Sequence, residues 1–304
     1  MPKVQDNIPL IQAESLSKEY PGVLALDRIS FTGNECEIIG VIGHNGAGKT
    51  TLLKILAGLV TPTSGNLQVQ GIDVRADTRR LKAMMGYLPE ESRLYETMRA
   101  DTYLSFFGEI YGLDARQIQE RSDALFTALA LQPDGKKLAE FSKGMKRKVA
   151  IARSLLHDPT LLIYDEPTSG LDPMTSRFII SYLRKLPGEG KTIVLSAHNL
   201  HQVEAICDRV MILRRGQIVA MGSMHELRKQ FGKTTYSIWF TAENPGNIRD
   251  IPLSTIEGGY AVVRVDSVEA MNAATTAIAS SGGSIERVES HFPSLEEMLV
   301  RIGQ

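Results

Sequence analysis

Short apolar runs alternate with helix-like segments along most of the chain. From about Pro9 to Ala220, this alternation predicts an α/β fold. The clearest predicted strands are apolar on both faces, which is typical of strands buried between layers of helices. They are Cys36–Ile42, Thr160–Asp165, Lys191–Ser196 and Arg209–Leu213.

Segments with apolar residues at helical spacing separate these strands. They are Lys49–Leu59, Lys146–Leu156, Pro173–Leu186 and Asn199–Ala205. Pro173 follows Asp172, and aspartate followed by proline favours a helix start. A further helical insert is predicted between Arg99 and Leu131, where strand signals are weak. Two interpretations of this insert remain open: it covers a face of the sheet, or it forms a subdomain that presents a docking surface.

A second, smaller α/β pattern follows a charged helix predicted at Met224–Lys233. Its predicted strands and helices are Ser237–Phe240, Tyr260–Asp266, Val268–Ser280, Ser284–Ser290 and Ser294–Ile302. Ser294 is followed three residues later by Glu297, which is a capping-box pattern. The segment is net negative, whereas the rest of the chain is net positive. We therefore expect two domains, over residues 8–230 and 234–304.

Composition narrows the class of protein. The chain has 304 residues, of which 43% are hydrophobic and 23% are charged, as in ordinary soluble globular proteins. A net charge of -1 argues against binding nucleic acid through bulk positive charge. The two cysteines, Cys36 and Cys207, are far apart, which disfavours a zinc site or a disulfide scaffold and favours a reducing compartment.

No segment of the sequence predicts a membrane span. No window offers the roughly 18 or more consecutive apolar residues that a spanning helix needs. The segment Met1–Tyr20 also has no apolar run typical of a secretory signal. If the protein works at a membrane, we expect another chain to supply the spans.

A glycine-rich loop carries the strongest chemical signal. Residues 43–50 are GHNGAGKT, which matches the phosphate-loop pattern G-x-x-x-x-G-K-[ST]. Glycines let successive backbone N–H groups point at one phosphate chain, and the helix that follows adds its positive N-terminus. Lys49 offers a point charge to the outer phosphates, and Thr50 offers a hydroxyl to Mg²⁺. The loop therefore predicts a nucleoside triphosphate site.

A second acidic element follows the buried strand at Thr160–Asp165. Asp165 and Glu166 stand at its end, and the carboxyl ends of strands are where open α/β sheets bind ligands. Asp165 would hold Mg²⁺ through water, and Glu166 would accept a proton from an attacking water. A strand that ends in two solvated acids is the alternative, which the upstream phosphate loop disfavours.

With these two elements, the sequence resembles the ATP-binding subunit of ABC transporters. That family carries a signature, usually LSGGQ, before the second acidic strand. Here Phe141–Met145 is FSKGM, so Ser142 and Gly144 match, whereas Lys143 and Met145 depart from the usual form. The SKGM variant is similar to that of ATPases which serve exporters with permeases of the type-two kind. The run MKRK at residues 145–148 has two interpretations. It is a solvated helix start, or, as the resemblance implies, the start of a helix that points at the nucleotide of the other subunit.

Further elements match the family in the expected order. Residues 169–172 resemble its D-loop, with Asp172, and residues 196–198 resemble its switch region, with His198. Tyr20 stands where the family stacks an aromatic ring on adenine. Glu90 replaces the usual glutamine of the Q-loop, and as a carboxylate it could still bind Mg²⁺. The resemblance implies a P-loop NTPase core with a RecA-like mixed sheet, a helical subdomain at about 99–156 and a small C-terminal α/β accessory domain.

The resemblance also implies a function and a set of site residues. The chain would be an ATPase that powers a membrane exporter, bound to a polytopic permease at the cytoplasmic face of the cell membrane. Two copies would face each other head to tail, with each ATP between the phosphate loop of one chain and the signature of the other. Glu166, His198 and Lys49 would be catalytic, and Thr50, Glu90 and Asp165 would hold Mg²⁺. The implied ATP-binding residues are Tyr20, Gly43, His44, Asn45, Gly46, Ala47, Gly48, Lys49, Thr50 and Thr51. The implied signature contacts from the other chain are Ser142, Lys143, Gly144 and Met145, and Asp172 is the implied D-loop residue.

Three other functions remain open at this point. The first is an ABC importer ATPase. The second is a soluble ABC-type ATPase that acts on ribosomes or nucleic acid, although such proteins usually carry two ATPase units or long coiled-coil inserts. The third is a nucleotide-binding regulator without enzymatic activity. We expect no direct contact with nucleic acid, and the sequence does not identify a transported substrate.

Overall fold

The computed structural model describes residues 9–232, 234–243, 245–247 and 255–303. The chain divides into two compact units, with the division between Met224 and His225. Within the described residues, no helix is both long enough and apolar enough to cross a bilayer.

The first unit contains two sheets and the helices that pack on them. Its strands are β1 (Ile11–Tyr20), β2 (Val23–Gly33), β3 (Ile38–Ile42), β4 (Ser64–Val69), β5 (Ile72–Asp73), β6 (Met85–Leu88), β7 (Leu161–Tyr164), β8 (Thr192–Ser196), β9 (Arg209–Arg214) and β10 (Gln217–Gly222). Its helices are α1 (Lys49–Leu56), α2 (Thr78–Ala83), α3 (Ala100–Ile110), α4 (Ala115–Ala128), α5 (Lys143–Leu155), α6 (Pro173–Leu183) and α7 (Leu200–Ile206).

The larger sheet positions the site. Its order is β10-β9-β3-β8-β7-β6, with β9, β3, β8, β7 and β6 parallel and β10 antiparallel to β9. The strands β3, β7 and β8 are buried at every position, as their continuous apolar runs predict. Because parallel strands end at the same edge, the segments that follow β3, β7 and β8 meet there. The prediction of an α/β fold with a mixed sheet is confirmed.

The predicted element bounds shift at specific residues. The strand β3 begins at Ile38 rather than Cys36, because Cys36 has a left-handed φ of 57° and its N–H donates to Thr192 Oγ1 at 2.9 Å. The helix α5 begins at Lys143, three residues before the predicted start, because the Ser142 side chain caps it. The helix α6 ends at Leu183, and residues 186–189 form a separate 3₁₀ turn.

The structure has a second, antiparallel sheet, with order β2-β1-β4-β5, which the sequence pattern does not predict as a separate sheet. Bulges interrupt the two-residue alternation of β1 and β2, at Ser15 and Arg28 with left-handed φ of 48° and 45°. One hydrophobic core joins the two sheets, and α1 contributes Leu52 and Leu53 to it. This core fixes the loop that precedes α1.

Two helices, α3 and α4, lie where the helical insert is predicted. Asp114 and Gln117 form a capping box at the start of α4. The main packing partners of α3 and α4 are each other and α5 rather than a strand. This packing favours the subdomain over the sheet-covering interpretation.

The second unit is a small α/β arrangement. It contains α8 (Met224–Phe231), β11 (Thr235–Thr241), β12 (Thr255–Glu257), β13 (Tyr260–Val265), α9 (Val268–Ser280), β14 (Ser284–His291) and α10 (Leu295–Gly303). The strands form an antiparallel sheet of order β12-β13-β11-β14. Ile238 and Phe240 of β11 pack with Ala274 and Ile278 of α9 in its core. The α9 bounds equal the predicted ones, and Ser294 and Glu297 form the predicted cap of α10.

Candidate functional site

The phosphate-loop sequence follows β3 and leads directly into α1. Gly43 and Gly48 have positive φ angles of 154° and 107°. A Cβ atom at Gly43 would lie 2.2 Å from the Leu213 carbonyl oxygen, and one at Gly48 would lie 2.6 Å from that of Ala25. Both positions therefore require glycine for close backbone approach as well as for conformation.

The start of α1 has backbone donors to offer a ligand. Its N-cap is Gly48, which has no side chain to accept a hydrogen bond from the first helical N–H groups. A helix start of this kind binds anions, because the N–H groups and the helix dipole act together. The sequence GHNGAGKT thus builds an open anion-binding turn.

Lys49 is buried against the loop that precedes it. Its Nζ donates to the carbonyl oxygens of Gly43 at 2.6 Å and His44 at 3.2 Å. Burial lowers the pKa of Lys49, while the nearby carboxylates of Glu166 and Asp165 oppose this shift. The ammonium group is therefore held beside the loop, facing the acidic edge of the sheet.

Asp165 is fixed at the end of β7 by a serine from β8. The Ser196 hydroxyl donates to Asp165 Oδ1 at 2.5 Å and accepts from the Glu166 N–H at 3.0 Å. One hydroxyl thus sets both the Asp165 side chain and the Glu166 backbone. In the sequence, Ser196 belongs to the predicted switch region, and its position as the last residue of an apolar strand is the only signal of this role.

Glu166 is a buried carboxylate with incomplete hydrogen bonding. It is 6% exposed and has a left-handed φ of 49°. Its Oε2 accepts from the His198 N–H at 3.1 Å. Its Oε1 lies 3.3 Å from His198 Nε2, but within the described residues it has no hydrogen-bond partner of good geometry. Burial raises the pKa of Glu166, which makes it a stronger proton acceptor than an exposed glutamate.

One open cavity of about 570 Å³ brings these groups together. It includes most of the predicted ATP-binding, magnesium and catalytic residues. Its lining residues are Tyr20, Val23, Ala25, Asn45, Gly46, Ala47, Gly48, Lys49, Thr50, Thr51, Glu90, Asp165, Glu166 and His198. Gly43 and His44 are outside this lining, and their carbonyls hold Lys49 instead.

The signature residues are elsewhere on the same unit. Ser142 caps α5 by accepting from the Met145 N–H at 3.2 Å, and the Lys143 ammonium lies beside Gly170. Asp172 caps α6 and accepts from the Thr175 N–H at 2.9 Å, a hydrogen bond that lowers the pKa of Asp172. Among the described residues that line the cavity, none belongs to residues 142–145 or is Asp172. The single chain therefore assembles the phosphate loop and the acidic edge without the signature.

The basic run at residues 145–148 is not a uniformly solvated helix start. Arg147 is 6% exposed and contacts the segments that carry Glu90 and Glu166, so the solvated interpretation is wrong for this residue. Lys146, Arg147 and Lys148 are consecutive long basic residues, and their sequence does not distinguish the buried arginine from its half-buried neighbours. By contrast, His201 is exposed on α7.

The predicted magnesium ligands line the same cavity. Thr50, Glu90 and Asp165 bring one hydroxyl and two carboxylates to it. Within the described residues, no cluster of three or more His, Cys, Asp or Glu side chains could form a complete metal cage. This donor set fits Mg²⁺, which usually takes one or two protein ligands and completes its shell with water and phosphate oxygens.

Comparison with known proteins decides the family. The ABC transporter family model matches residues 26–169. An uncharacterised ABC transporter ATP-binding protein of Bacillus subtilis, YxlF, is 33% identical over 299 residues, which cover 96% of this chain and 99% of the relative. The chain belongs to the family of ABC transporter ATP-binding proteins.

Further relatives agree with this assignment. The Nod factor export ATP-binding protein I of Ralstonia nicotianae is 36% identical over 221 residues, covering 72% of this ABC ATPase and 68% of the relative. A solved structure of an ATP-binding subunit of an ABC transporter superimposes with a TM-score of 0.68 at 32% identity, covering 73% of this chain and 93% of that one. The C-terminal domain model of DrrA1-3-like ATP-binding proteins matches residues 222–301.

These findings confirm the predicted family, the fold class and the ATPase activity. The chain is an ATP-binding and ATP-hydrolysing subunit of an ABC transporter. Subunits of this family associate with membrane permeases, and solved cassettes with this fold form dimers. One cavity of this chain is lined by residues of the phosphate-loop sequence, by the two acidic residues that follow β7 and by His198.

Proposed function

We propose that this ABC ATPase powers a membrane exporter, and that two copies close head to tail around ATP. The observation that carries the proposal is the composition of the cavity. It contains Lys49, Glu166 and His198, whereas the signature at residues 142–145 lies outside its lining. A second chain would supply the signature residues that this cavity lacks. The export direction is supported by the relative named for Nod factor export and by the SKGM form of the signature.

ATP would occupy the cavity with its base at Tyr20. This ring is 37% exposed, which leaves a face open for stacking, and Lys18 Nζ lies 5.0 Å from the ring centroid. The phosphates would be held by the backbone N–H groups of residues 45–51 and by Lys49. Lys49 would exchange its loop carbonyl partners for phosphate oxygens. Mg²⁺, held by Thr50, Asp165 and Glu90, would neutralise charge on the outer phosphates.

Glu166 would act as the general base of hydrolysis. Its Oε1 has no good hydrogen-bond partner within the described part of the chain, so it can accept the proton of a water. That water attacks the terminal phosphorus, and the bond to the bridging oxygen breaks to release ADP. His198, 3.3 Å from Glu166, would orient the base and contact the transferring phosphoryl group. Ser196 would hold the Asp165 side chain and the Glu166 backbone in place through its two hydrogen bonds.

The partner chain would supply its signature to the terminal phosphate. Ser142 and Gly144 stand at the start of α5, where backbone N–H groups favour an anion. Lys143 adds a positive charge at this position, and Met145 follows it. Asp172 lies at the start of α6, near Gly144, whose ideal Cβ position is 2.9 Å from Thr175 Cγ2. The signature and the D-loop would therefore approach the other nucleotide together.

An aromatic patch on α3 and on the residues just before and after it would bind the polytopic permease. We define this patch as Tyr95, Phe106, Ile110 and Tyr111. Tyr95 is 50% exposed and Ile110 is 63% exposed, and the rings of Tyr95 and Phe106 lie 5.9 Å apart. A group of exposed large apolar residues is typical of a protein interface. The patch supports a docking role for the insert.

Mixing two inactive variants tests the head-to-tail site. Lys49→Ala inactivates the phosphate loop but leaves the signature intact, and Gly144→Asp does the reverse. If each ATP lies between two chains, a mixed dimer has one complete site. Equal mixing should then restore about a quarter of the wild-type phosphate release, because about half of randomly formed dimers are mixed and each has one complete site of two. A mixture that stays inactive while both variants form dimers would contradict the arrangement.

Membrane association tests the aromatic patch. In cells that produce the protein, we expect Ile110→Asp to leave the membrane fraction while the purified variant keeps its ATPase rate. The matched control is Val268→Asp, an exposed valine on α9. Equal membrane association of both variants would argue against docking through this patch.

A further inference from the structure

We infer that Arg147 is a positioning residue that couples the start of α5 to the catalytic glutamate of its own chain. The inference rests on the proposed function, because it assigns the start of α5 to the partner's ATP. Arg147 belongs to the second turn of α5, five residues after the signature serine Ser142. In an α-helix this separation is about 7.5 Å, so one rigid helix links the two groups.

The Arg147 guanidinium group binds three consecutive carbonyls after β7. Its Nη2 donates to the oxygens of Asp165 at 3.0 Å and Glu166 at 2.7 Å. Its Nε donates to the Pro167 oxygen at 2.8 Å. These bonds hold the chain where Glu166 adopts its left-handed φ, a conformation that an L-residue adopts only when its surroundings enforce it.

The same guanidinium also binds the loop that carries Glu90. Its Nη1 donates to the carbonyl oxygens of Pro89 at 2.7 Å and Glu90 at 3.0 Å, and to Ser92 Oγ at 3.1 Å. One side chain therefore contacts the backbone of a proposed Mg²⁺ ligand and that of the general base. A displacement of α5 would act on both residues at once.

These contacts require an arginine rather than any cation. Arg147 uses all three of its nitrogen atoms on acceptors from two separate segments. Arginine presents five N–H donors in a planar fork, whereas lysine presents three donors on one atom and cannot reach both segments in the same way. Burial lowers the pKa of Arg147 to about 10, so the group still carries its charge at neutral pH.

Replacing the guanidinium group of Arg147 should slow ATP hydrolysis without weakening nucleotide binding. For Arg147→Lys we expect kcat to fall about 10- to 100-fold, since misplacement of a catalytic group by about 1 Å costs rates of this order. The dissociation constant for ATP should stay within about 3-fold, because the phosphate loop is unchanged. The matched control is Lys146→Gln, which removes a neighbouring cation that pairs with Glu96 at the surface and should leave both values unchanged.

A second readout separates positioning from a structural role. With Mg-ATP, Arg147→Lys should accumulate as a dimer, as a variant that binds but hydrolyses slowly would. If Arg147→Lys loses ATP binding and turnover in parallel, Arg147 has only a structural role and the inference is wrong. A wild-type kcat for Arg147→Lys would also overturn the inference. Arg147→Met leaves buried carbonyls without donors, and if it fails to fold, the lysine variant decides.

The proposed function can fail separately. If Glu166→Gln binds ATP but forms no dimer, the head-to-tail arrangement fails. If Glu166→Gln does dimerise while Arg147→Lys hydrolyses ATP at the wild-type rate, only the positioning role fails.

Discussion

The two helix starts that would hold phosphate, those of α1 and α5, use their backbone donors differently. The start of α1 follows Gly48, which has no capping side chain, and Lys49 is held against the loop beside it. The start of α5 follows Ser142, whose hydroxyl already accepts from the Met145 N–H. The first helix start lines the cavity with Asp165 and Glu166, whereas the second does not.

This difference predicts that ATP binding and closure of the dimer depend on different helix starts. The α1 start is open and completed by groups of its own chain, so it should set the affinity of a single chain for ATP. The α5 start is self-capped and apart from the cavity, so it should act only when a second chain is present. Variants at the two starts should therefore change different quantities.

The largest expected effect comes from a change that leaves both helix starts intact. Glu166→Gln should lower steady-state phosphate release by about 10²- to 10⁴-fold, because it removes the proton acceptor. ATP affinity, measured by fluorescence titration, should persist. Glu189→Gln, at an exposed glutamate, is the matched control. Retained turnover in Glu166→Gln would refute the assignment of the base.

The second largest effect is expected from a substitution at the start of α1. Lys49→Ala should weaken ATP binding by a single chain by about 10- to 100-fold, as loss of a charge-assisted contact of about 1.5–3 kcal/mol implies. Calorimetric titration measures this affinity. Lys54→Ala removes an exposed lysine of the same helix and should bind as the wild type does. Equal affinities for the two variants would argue against the phosphate role of Lys49.

A smaller effect is expected on the α5 side. Lys143→Ala should lower turnover about 2- to 5-fold, because a single charge near a helix end is worth about 0.3–1 kcal/mol. Affinity of the isolated chain for ATP should not change, since Lys143 is outside the cavity lining. Lys136→Ala is an exposed control in the same subdomain. A loss of single-chain affinity in Lys143→Ala would remove the distinction between binding and closure.

The smallest effect concerns pH and stability. Burial raises the pKa of Glu166 above its ordinary value of 4.5, so its ionised form is disfavoured in the folded chain. Its favourable contribution to folding is therefore present below the unfolded pKa and is lost as pH rises through the folded pKa. At pH 7, Glu166→Gln should therefore raise the Tm, because the substitution removes a carboxylate whose ionised form is disfavoured in the folded chain.

The same shift sets the acid limb of activity. Since the base must be ionised, turnover should fall on the acid side at a pH above that of an ordinary glutamate. A pH profile of kcat measures this limb. An acid limb at or below 4.5, or a Tm that falls in Glu166→Gln at neutral pH, would contradict a raised pKa.

The sequence predicts the parallel sheet well, because its strands are short, apolar and followed by chemical motifs. The edge formed by β3, β7 and β8 follows from Gly43, Asp165 and His198 standing at strand ends. The antiparallel sheet was less predictable, because bulges at Ser15 and Arg28 disturb the alternation that identifies half-buried strands.

The polar interior of the site was predictable only in part. Glu166 and Lys49 belong to motifs whose residue types and spacing predict their chemical roles. Arg147 and Ser196 act through contacts with distant backbone and side-chain groups, which depend on how α5 and β8 pack against β7. Sequence spacing within one element contains no information on such contacts.

The mass of Glu166→Gln in solution, measured by light scattering with and without Mg-ATP, tests the central claim most directly. The head-to-tail account predicts a doubling from 33.5 kDa that occurs only with Mg-ATP. A mass that stays at one chain, under conditions where titration shows ATP bound, would contradict closure of two ATPase subunits around the nucleotide.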